Sequence, residues 1–204
     1  MVITIGVLEL QGGFDLHHKM LKKIGINSFG VKVETDFKKI DGLIIPGGES
    51  TTLSLLLDTF KLRNAILEFA KSYPIMGTCA GLIMMSKSID DERVKPLGLL
   101  DIIVKRNAYG RQVMSSQEKV IFALNKERNI ELFSTFIRAP RIKDYGNDVI
   151  IIAKFKDYPV AVFSRNLLGL AFHPEIDGID IFHRMMFDNY SEFYYKKLKE
   201  NYAA

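Results

Sequence analysis

Apolar residues in the first half of the chain form short β-branched runs that alternate with amphipathic stretches. Residues 3–8 and 42–45 are such runs and predict buried strands. Between them, residues 14–24 carry apolar side chains at helical spacing, and Gly25 is placed to end that helix. This alternation is typical of a parallel sheet covered by helices on both faces. The same pattern predicts a strand at 28–33 and a helix that begins at a cap on Ser50 or Thr51 and runs through Leu57. A further helix is predicted over 62–71, and a strand, a sharp turn and a helix follow over 74–85.

The second half of the chain is patterned differently, with short strands separated by turn residues. Antiparallel pairing is expected there, so the sheet should be mixed. With no linker or repeat in view, we expect a single domain over residues 1–204, built as a three-layer α/β/α structure around a central mixed, mostly parallel sheet. The predicted elements are strands at 120–124, 131–136, 149–155, 160–164 and 168–172 and a terminal helix over 179–199.

Composition narrows the function classes. The 204 residues are 48% hydrophobic and 25% charged, as in ordinary globular proteins, and the net charge of +4 is spread over scattered pairs such as Lys22 and Lys23. The chain shows no basic stripe for nucleic acid, and apolar runs such as residues 150–153 fall far short of the ~20 residues of a membrane span. The N-terminus has no signal-peptide features. We therefore expect a cytoplasmic protein that contacts neither nucleic acid nor membrane and holds no metal.

The lone cysteine lies in a motif that favours nucleophilic chemistry. Gly77-Thr78-Cys79-Ala80-Gly81 has the form of a nucleophile elbow with sulfur in place of oxygen. The two glycines fit a sharp strand-to-helix turn, where neighbouring backbone passes close by. The following helix would direct its N-terminus at the sulfur and favour the thiolate. The alternative is that Cys79 is a small buried apolar residue.

A cysteine nucleophile needs a base, and His173 is the best placed of the four histidines. It follows a predicted strand, at the carboxyl edge of the sheet where Cys79 also lies. Glu175 can return a carboxylate to its imidazole and hold the required tautomer. His183 and the pair His17 and His18 fit ordinary helix positions.

Pro46-Gly47-Gly48-Glu49 follows a strand and precedes a helix, so its backbone N–H groups are free to donate. The N–H groups of Gly47 and Ala80 could together stabilise the oxyanion of a tetrahedral intermediate. A glycine-rich turn selected only for its backbone shape is the alternative. A phosphate loop is disfavoured because its lysine and spacing are missing.

These motifs resemble class I glutamine amidotransferases. The carrying segments are residues 46–51, 77–83 and 173–175, and residues 10–12, 106–112 and 136–140 narrow the resemblance to the glutaminase subunits of pyridoxal 5'-phosphate synthases. The resemblance implies a flavodoxin-like α/β fold and hydrolysis of L-glutamine to glutamate and ammonia. It implies no cofactor, and a partner synthase subunit with a (β/α)8 barrel that receives the ammonia for vitamin B6 synthesis.

The resemblance also implies a role for each site residue. Cys79 is the expected nucleophile, His173 the proton carrier and Glu175 its orienting group, while Gln11 is expected near the oxyanion hole. The residues expected to bind glutamine are Gly47, Gly48, Glu49, Arg106, Ile137 and Arg138.

Three other functions stay open at this point. The chain could serve another synthase, such as imidazole glycerol phosphate synthase, although Glu49-Ser50-Thr51 and residues 106–112 disfavour this. It could be a cysteine peptidase or redox-sensing protein with the same elbow. It could also be an inactive regulatory subunit, which the intact Cys79, His173 and Glu175 disfavour.

Overall fold

The secondary structure alternates between strands and helices up to Met85 and then becomes mostly β. In the computed structural model, residues 3–106, 115–123 and 128–197 are described. The helices are α1 (Phe14–Lys23), α2 (Ser50–Thr59), α3 (Arg63–Ala70), α4 (Ala80–Met85) and α5 (Ile181–Phe187), with a 3₁₀ helix at Glu34–Lys39. The strands are β1 (Thr4–Leu8), β2 (Asn27–Val31), β3 (Gly42–Ile45), β4 (Ile75–Thr78), β5 (Ser86–Ile89), β6 (Leu100–Lys105), β7 (Ser115–Ala123), β8 (Asn129–Ile137), β9 (Arg141–Tyr145), β10 (Ile150–Phe155), β11 (Tyr158–Ser164) and β12 (Leu167–Leu170).

The strands within the described residues form two sheets. The larger has nine strands in the order β2-β1-β3-β4-β12-β11-β10-β7-β8. Neighbours pair in parallel from β2 to β12 and antiparallel from β12 to β8, which confirms the predicted mixed sheet. All residues of the central strands β3, β4 and β12 are buried, as expected where helices cover both faces of a parallel sheet.

The order of the first strands creates a switch point in the sheet. From β1 the chain moves outward to β2, whereas from β3 it moves the opposite way to β4. Because such crossovers are right-handed, α1 lies on one face of the sheet and the helices between β3 and β4 lie on the other. The loops after β1 and β3 therefore diverge and leave a crevice at the carboxyl ends of the strands, the usual ligand position in this fold.

Two predicted helix boundaries were wrong. The terminal helix ends at Phe187, because the Asp188 side chain accepts from the Tyr190 N–H at 3.1 Å and its carbonyl accepts from the Ser191 N–H at 3.0 Å. Helix α2 is capped by Glu49, whose side chain accepts from the Thr52 N–H at 2.8 Å, and neither Ser50 nor Thr51 acts as the cap.

The second sheet was not predicted from the sequence. It consists of β5, β6 and β9, with β6 in the middle. Strand β6 carries the chain to Arg106, so this sheet positions one side of the site. Three parts of the predicted pattern lie outside the described residues: 107–112 of the motif beginning at Arg106, position 124 of the strand over 120–124, and 198–199 of the terminal helix.

Candidate active site

Four loops at the carboxyl edge of the parallel strands meet around one crevice. The loops follow β1, β3, β4 and β12, and they carry Gln11, Gly47, Cys79 and His173 respectively. Strands β4 and β12 are direct neighbours, with Thr78 opposite Leu170. The cysteine and the histidine, 94 positions apart in the sequence, are therefore brought to adjacent strand ends.

Cys79 occupies the sharp turn between β4 and α4. Its φ is 48° and its ψ is −99°, a strained conformation for a residue with a side chain. A Cβ on Gly77 would lie 2.6 Å from Met85 Sδ, and one on Gly81 would lie 2.0 Å from the Ile45 carbonyl oxygen. Both flanking positions therefore exclude a side chain, as the elbow pattern predicts.

His173 is held from both its backbone and its side chain. Its N–H donates to the Thr135 carbonyl at 2.9 Å, which ties the loop after β12 to the C-terminal part of β8. Its Nδ1 lies 2.7 Å from Glu175 Oε1, and Cys79 lies in the same crevice, where its Sγ donates to the Ile137 carbonyl at 3.8 Å. Cys79, His173 and Glu175 thus form a row at the crevice, with a hydrogen bond between the histidine and the glutamate.

The charges of this row stabilise one another. Burial acts to lower the pKa of His173, but the interactions with Cys79 and Glu175 outweigh it and raise that pKa to about 10. Burial acts to raise the pKa of Glu175, yet the bond to His173 and the nearby His17 bring it below its ordinary value. An ionised Glu175 can therefore support a protonated imidazole at neutral pH.

The glycine loop after β3 packs against the rest of the site at several points. A Cβ on Gly47 would lie 2.4 Å from His173 Cε1, and one on Gly48 would lie 2.5 Å from Gln11 Nε2. The Gly47 N–H, expected from the sequence in an oxyanion hole, donates to Thr78 Oγ1 at 3.0 Å in this structure. Gln11 Oε1 accepts from the Glu49 N–H at 3.1 Å, so Gln11 is in contact with this loop.

Glu49 and Arg106 form an ion pair on the far side of the crevice. Arg106 Nη2 lies 2.7 Å from Glu49 Oε1, and Nη1 lies 2.6 Å from Asp91 Oδ2. Burial acts to raise the pKa of Glu49, but hydrogen bonds from Thr51 and Thr52 and the charge of Arg106 lower it to about 2. The site therefore contains a fixed carboxylate beside a guanidinium, which suits a zwitterionic ligand.

A cavity of about 360 Å³ joins these groups, within the range of small-molecule sites. Every site residue predicted from the sequence lines it except Ala80, the first residue of α4. Five apolar or small residues that were not predicted also line it: Gly13, Leu16, Ser50, Ile83 and Ile176.

Sequence reasoning missed the groups behind the row. His17 and His183 were interpreted as ordinary helix residues, yet both are fully buried, and His17 lies 3.7 Å from Glu175. Asp177 accepts hydrogen bonds from the Thr135 N–H at 2.6 Å and from Thr135 Oγ1 at 2.8 Å. No local motif marks these residues, because their partners are distant in the sequence.

The described residues contain no group of three or more His, Cys, Asp or Glu side chains arranged to hold a metal ion. Within the same residues, every helix is too short or too polar to cross a membrane.

The fold and the cavity define the class first: an α/β protein with a cysteine elbow at the carboxyl edge of its sheet. The family follows from comparison with known proteins, since the chain belongs to the SNO glutamine amidotransferase family, which matches residues 7–191. It is therefore a glutamine-hydrolysing enzyme, and the resemblance and the fold class inferred from the sequence are confirmed.

Individual relatives agree with the family. The chain is 44% identical over 202 residues to the pyridoxal 5'-phosphate synthase subunit PdxT of Oenococcus oeni, covering 98% of this chain and 100% of that one. It is 43% identical over 183 residues to the subunit of the same name from Thermoplasma volcanium, covering 86% and 89%. A crystal structure of a glutamine amidotransferase superposes with a TM-score of 0.83 at 34% identity over 90% of this chain and 97% of the other. PurLQS from Thermotoga maritima, at 16% identity and a TM-score of 0.65 over 98% and 97%, shares the fold.

Proposed function

We propose that this protein hydrolyses L-glutamine through Cys79, His173 and Glu175 and delivers the ammonia to a partner synthase subunit that makes pyridoxal 5'-phosphate. The observation that carries the proposal is that Cys79, His173 and Glu175 line one cavity, with His173 Nδ1 2.7 Å from Glu175 Oε1. Membership of a glutamine amidotransferase family supports the substrate. The names of the relatives, subunits of pyridoxal 5'-phosphate synthase, support the destination of the nitrogen.

The reaction divides into two proton-balanced halves. The Cys79 sulfur, its proton taken up by His173, attacks the side-chain carboxamide carbon and forms a tetrahedral intermediate. This collapses to a thioester as the protonated His173 gives its proton to the departing nitrogen, which leaves as ammonia. His173 then accepts a proton from water as the water attacks the thioester. Glutamate leaves, and the sulfur and the imidazole return to their starting state, with Glu175 holding the imidazole throughout.

Substrate binding would use the charges at the far side of the cavity. The Glu49 carboxylate suits the α-ammonium group, and the guanidinium groups of Arg106 and Arg138 suit the α-carboxylate. Because Arg106 lies on Glu49 Oε1 in this structure, the α-ammonium group would replace it there and release it toward the carboxylate. Gly48 and Ile137 complete the contacts to glutamine along the cavity wall.

Stabilisation of the oxyanion would fall to the N–H groups of Gly47 and Ala80, with Gln11 near them. The Gly47 N–H donates to Thr78 in this structure, so its catalytic use requires that bond to be exchanged for one to the intermediate. The partner synthase subunit, expected to be a (β/α)8 barrel, would take up ammonia directly, because free ammonia is mostly protonated in neutral water.

The decisive experiment measures glutamate release from L-glutamine by the purified protein, with and without the barrel synthase subunit from the same source. We expect activity that depends on the partner and that Cys79→Ala abolishes, because the alanine has no nucleophile. Co-elution of Cys79→Ala with the synthase subunit in gel filtration is the control that the variant is folded. Turnover at the wild-type rate in Cys79→Ala would remove Cys79 from the mechanism.

A further inference from the structure

Two fully buried histidines lie behind the row of Cys79, His173 and Glu175. His17 is on α1 and His183 is on α5, and both have zero exposure. His17 Nδ1 lies 3.0 Å from His183 Nε2, and the ring centroids are 5.2 Å apart. A buried ring nitrogen that loses its hydrogen-bond partner is costly, so this contact fixes the orientation of both rings.

The other nitrogen of His17 faces the site. Nε2 lies 3.3 Å from Thr78 Oγ1 and 3.7 Å from Glu175 Oε1. Thr78 Oγ1 accepts the hydrogen bond from the Gly47 N–H, and Glu175 Oε1 accepts the one from His173 Nδ1. His17 therefore contacts the groups that hold the glycine loop and the groups that hold the imidazole.

The hydrogen-bond partners of the two rings fix which nitrogens of His183 and His17 carry the protons. Among the described residues, His183 Nδ1 has no hydrogen-bond partner. A buried N–H without an acceptor is rarer than a buried acceptor without a donor, so the proton of His183 is on Nε2 and is donated to His17 Nδ1. His17 then carries its own proton on Nε2, which donates to Thr78 Oγ1 at 3.3 Å and lies 3.7 Å from Glu175 Oε1.

We propose that His17 is a positioning residue for glutamine hydrolysis: its Nε2–H, anchored on the Thr78 hydroxyl and 3.7 Å from Glu175 Oε1, keeps the Glu175 carboxylate turned toward His173, while His183 fixes its ring. The inference rests on the proposed function, since it assigns a task to the residue behind the same row. His17 touches none of the reacting atoms and acts through its two neighbours.

Burial keeps the imidazole of His17 neutral. The titratable groups around it are Glu175 from the loop after β12, His183 from α5, His173 and the next residue along α1, His18. Burial lowers the pKa of His17 to about 3, even though Glu175 acts to raise it, and burial alone lowers the pKa of His183 to about 3. The chain of two neutral rings thus supplies a fixed N–H donor at the pH where the enzyme works.

The test compares His17→Leu with His17→Gln in glutamate release at saturating synthase subunit. Leucine retains bulk but removes the donor, so we expect kcat to fall about tenfold or more with KM for glutamine little changed. We also expect the acid limb of the pH–rate profile to move to higher pH, because Glu175 loses a group that favours its ionised form. Glutamine can donate from the position of Nε2, so it should recover most of kcat and of the acid limb.

The matched control is His18→Gln, since His18 bonds instead to Ser28 at 2.7 Å and to Glu9 at 3.0 Å, away from the row. It should retain the wild-type kcat and acid limb. Loss of thermal stability in His17→Leu with an unchanged kcat and acid limb would show a purely structural role and overturn the inference. Absence of turnover in the wild type with its partner would instead count against the proposed function.

A second measurement needs no variant of His17. In ¹⁵N-histidine NMR of the wild type between pH 5 and 8, we expect two histidines that stay neutral and carry their protons on Nε2. A His17 that is protonated on Nδ1, or that titrates in this range, would overturn the inference even if His17→Leu fails to fold.

Discussion

At the scale of single residues, the packing around Gly81 leaves no room for a side chain. A Cβ there would lie 2.0 Å from the Ile45 carbonyl oxygen, a backbone atom of β3 that cannot move without disturbing the sheet. We expect Gly81→Ala to destabilise the protein by about 3 kcal/mol, at the upper end of overpacking costs. Urea unfolding measures the change.

Gly13→Ala is the matched control for that substitution, and only its free energy of unfolding is compared. A Cβ at Gly13 meets nothing within 4 Å, and its φ of −82° suits any residue. Gly13→Ala should therefore unfold within about 0.5 kcal/mol of the wild type. Equal stability of Gly81→Ala and Gly13→Ala would mean that the elbow tolerates a side chain after Cys79.

Site residues that belong to local motifs could be predicted from the sequence, and those that act through distant contacts could not. The glycines around Cys79 signal a close approach by their identity alone, and the structure shows the predicted crowding at Gly77 and Gly81. His17 and His183 meet across 166 positions, and nothing local distinguishes them from exposed helix residues. Their burial follows from how α1 and α5 pack, which only the tertiary structure reveals.

At the scale of elements, the joint between β8 and the loop after β12 aligns the histidine. Thr135 accepts from the His173 N–H, and Asp177 binds the same stretch of β8 through the Thr135 N–H, Thr135 Oγ1 and Ser134 Oγ. Gln117 on β7 donates to Asp177 as well. One carboxylate therefore clamps the loop that carries His173 to a two-stranded edge of the sheet.

Asp177→Asn should weaken that clamp. An amide replaces one acceptor oxygen by a donor that faces other donors, so we expect a loss of about 1–3 kcal/mol in the free energy of unfolding. We also expect a lower kcat, because His173 is less well aligned with Cys79. Asp157→Asn, in the exposed turn between β10 and β11, is the control and should change neither quantity. Wild-type stability and kcat in Asp177→Asn would remove the clamp from the account.

The elements themselves were predictable to different degrees. Buried strands such as β3 can be predicted from their continuous apolar residues, and Gly42–Ile45 has the predicted bounds. Strand β9 has only Ile142 buried among polar positions, so its pattern in the sequence is too weak to predict the second sheet. The terminal helix was overextended because helical spacing continues past Asp188, whereas the side chain and carbonyl of Asp188 form a turn.

At the scale of the whole molecule, three buried histidines set the pH dependence of stability. His17 and His183 have folded pKa values of about 3, below their ordinary value of 6.5, so unfolding takes up protons at pH values between the two. The stability that they contribute is fully present above about pH 6.5 and is lost as the pH falls toward 3. Each proton taken up gives a slope of about 1.4 kcal/mol per pH unit.

His173 acts in the opposite direction. Its folded pKa of about 10 lies above the ordinary 6.5, so its contribution is fully present below about pH 6.5 and is lost as the pH rises toward 10. Stability should therefore peak near pH 6.5.

Urea unfolding from pH 5 to 8 measures the free energy of unfolding on both sides of this maximum. The range stays above the pH at which the carboxyl groups of the unfolded chain titrate. We expect His183→Leu to reduce the slope on the acid side and His173→Gln to flatten the alkaline side, because each removes one of the shifted groups. A wild-type profile that is flat over this range would show that these imidazoles titrate equally in the folded and unfolded chains.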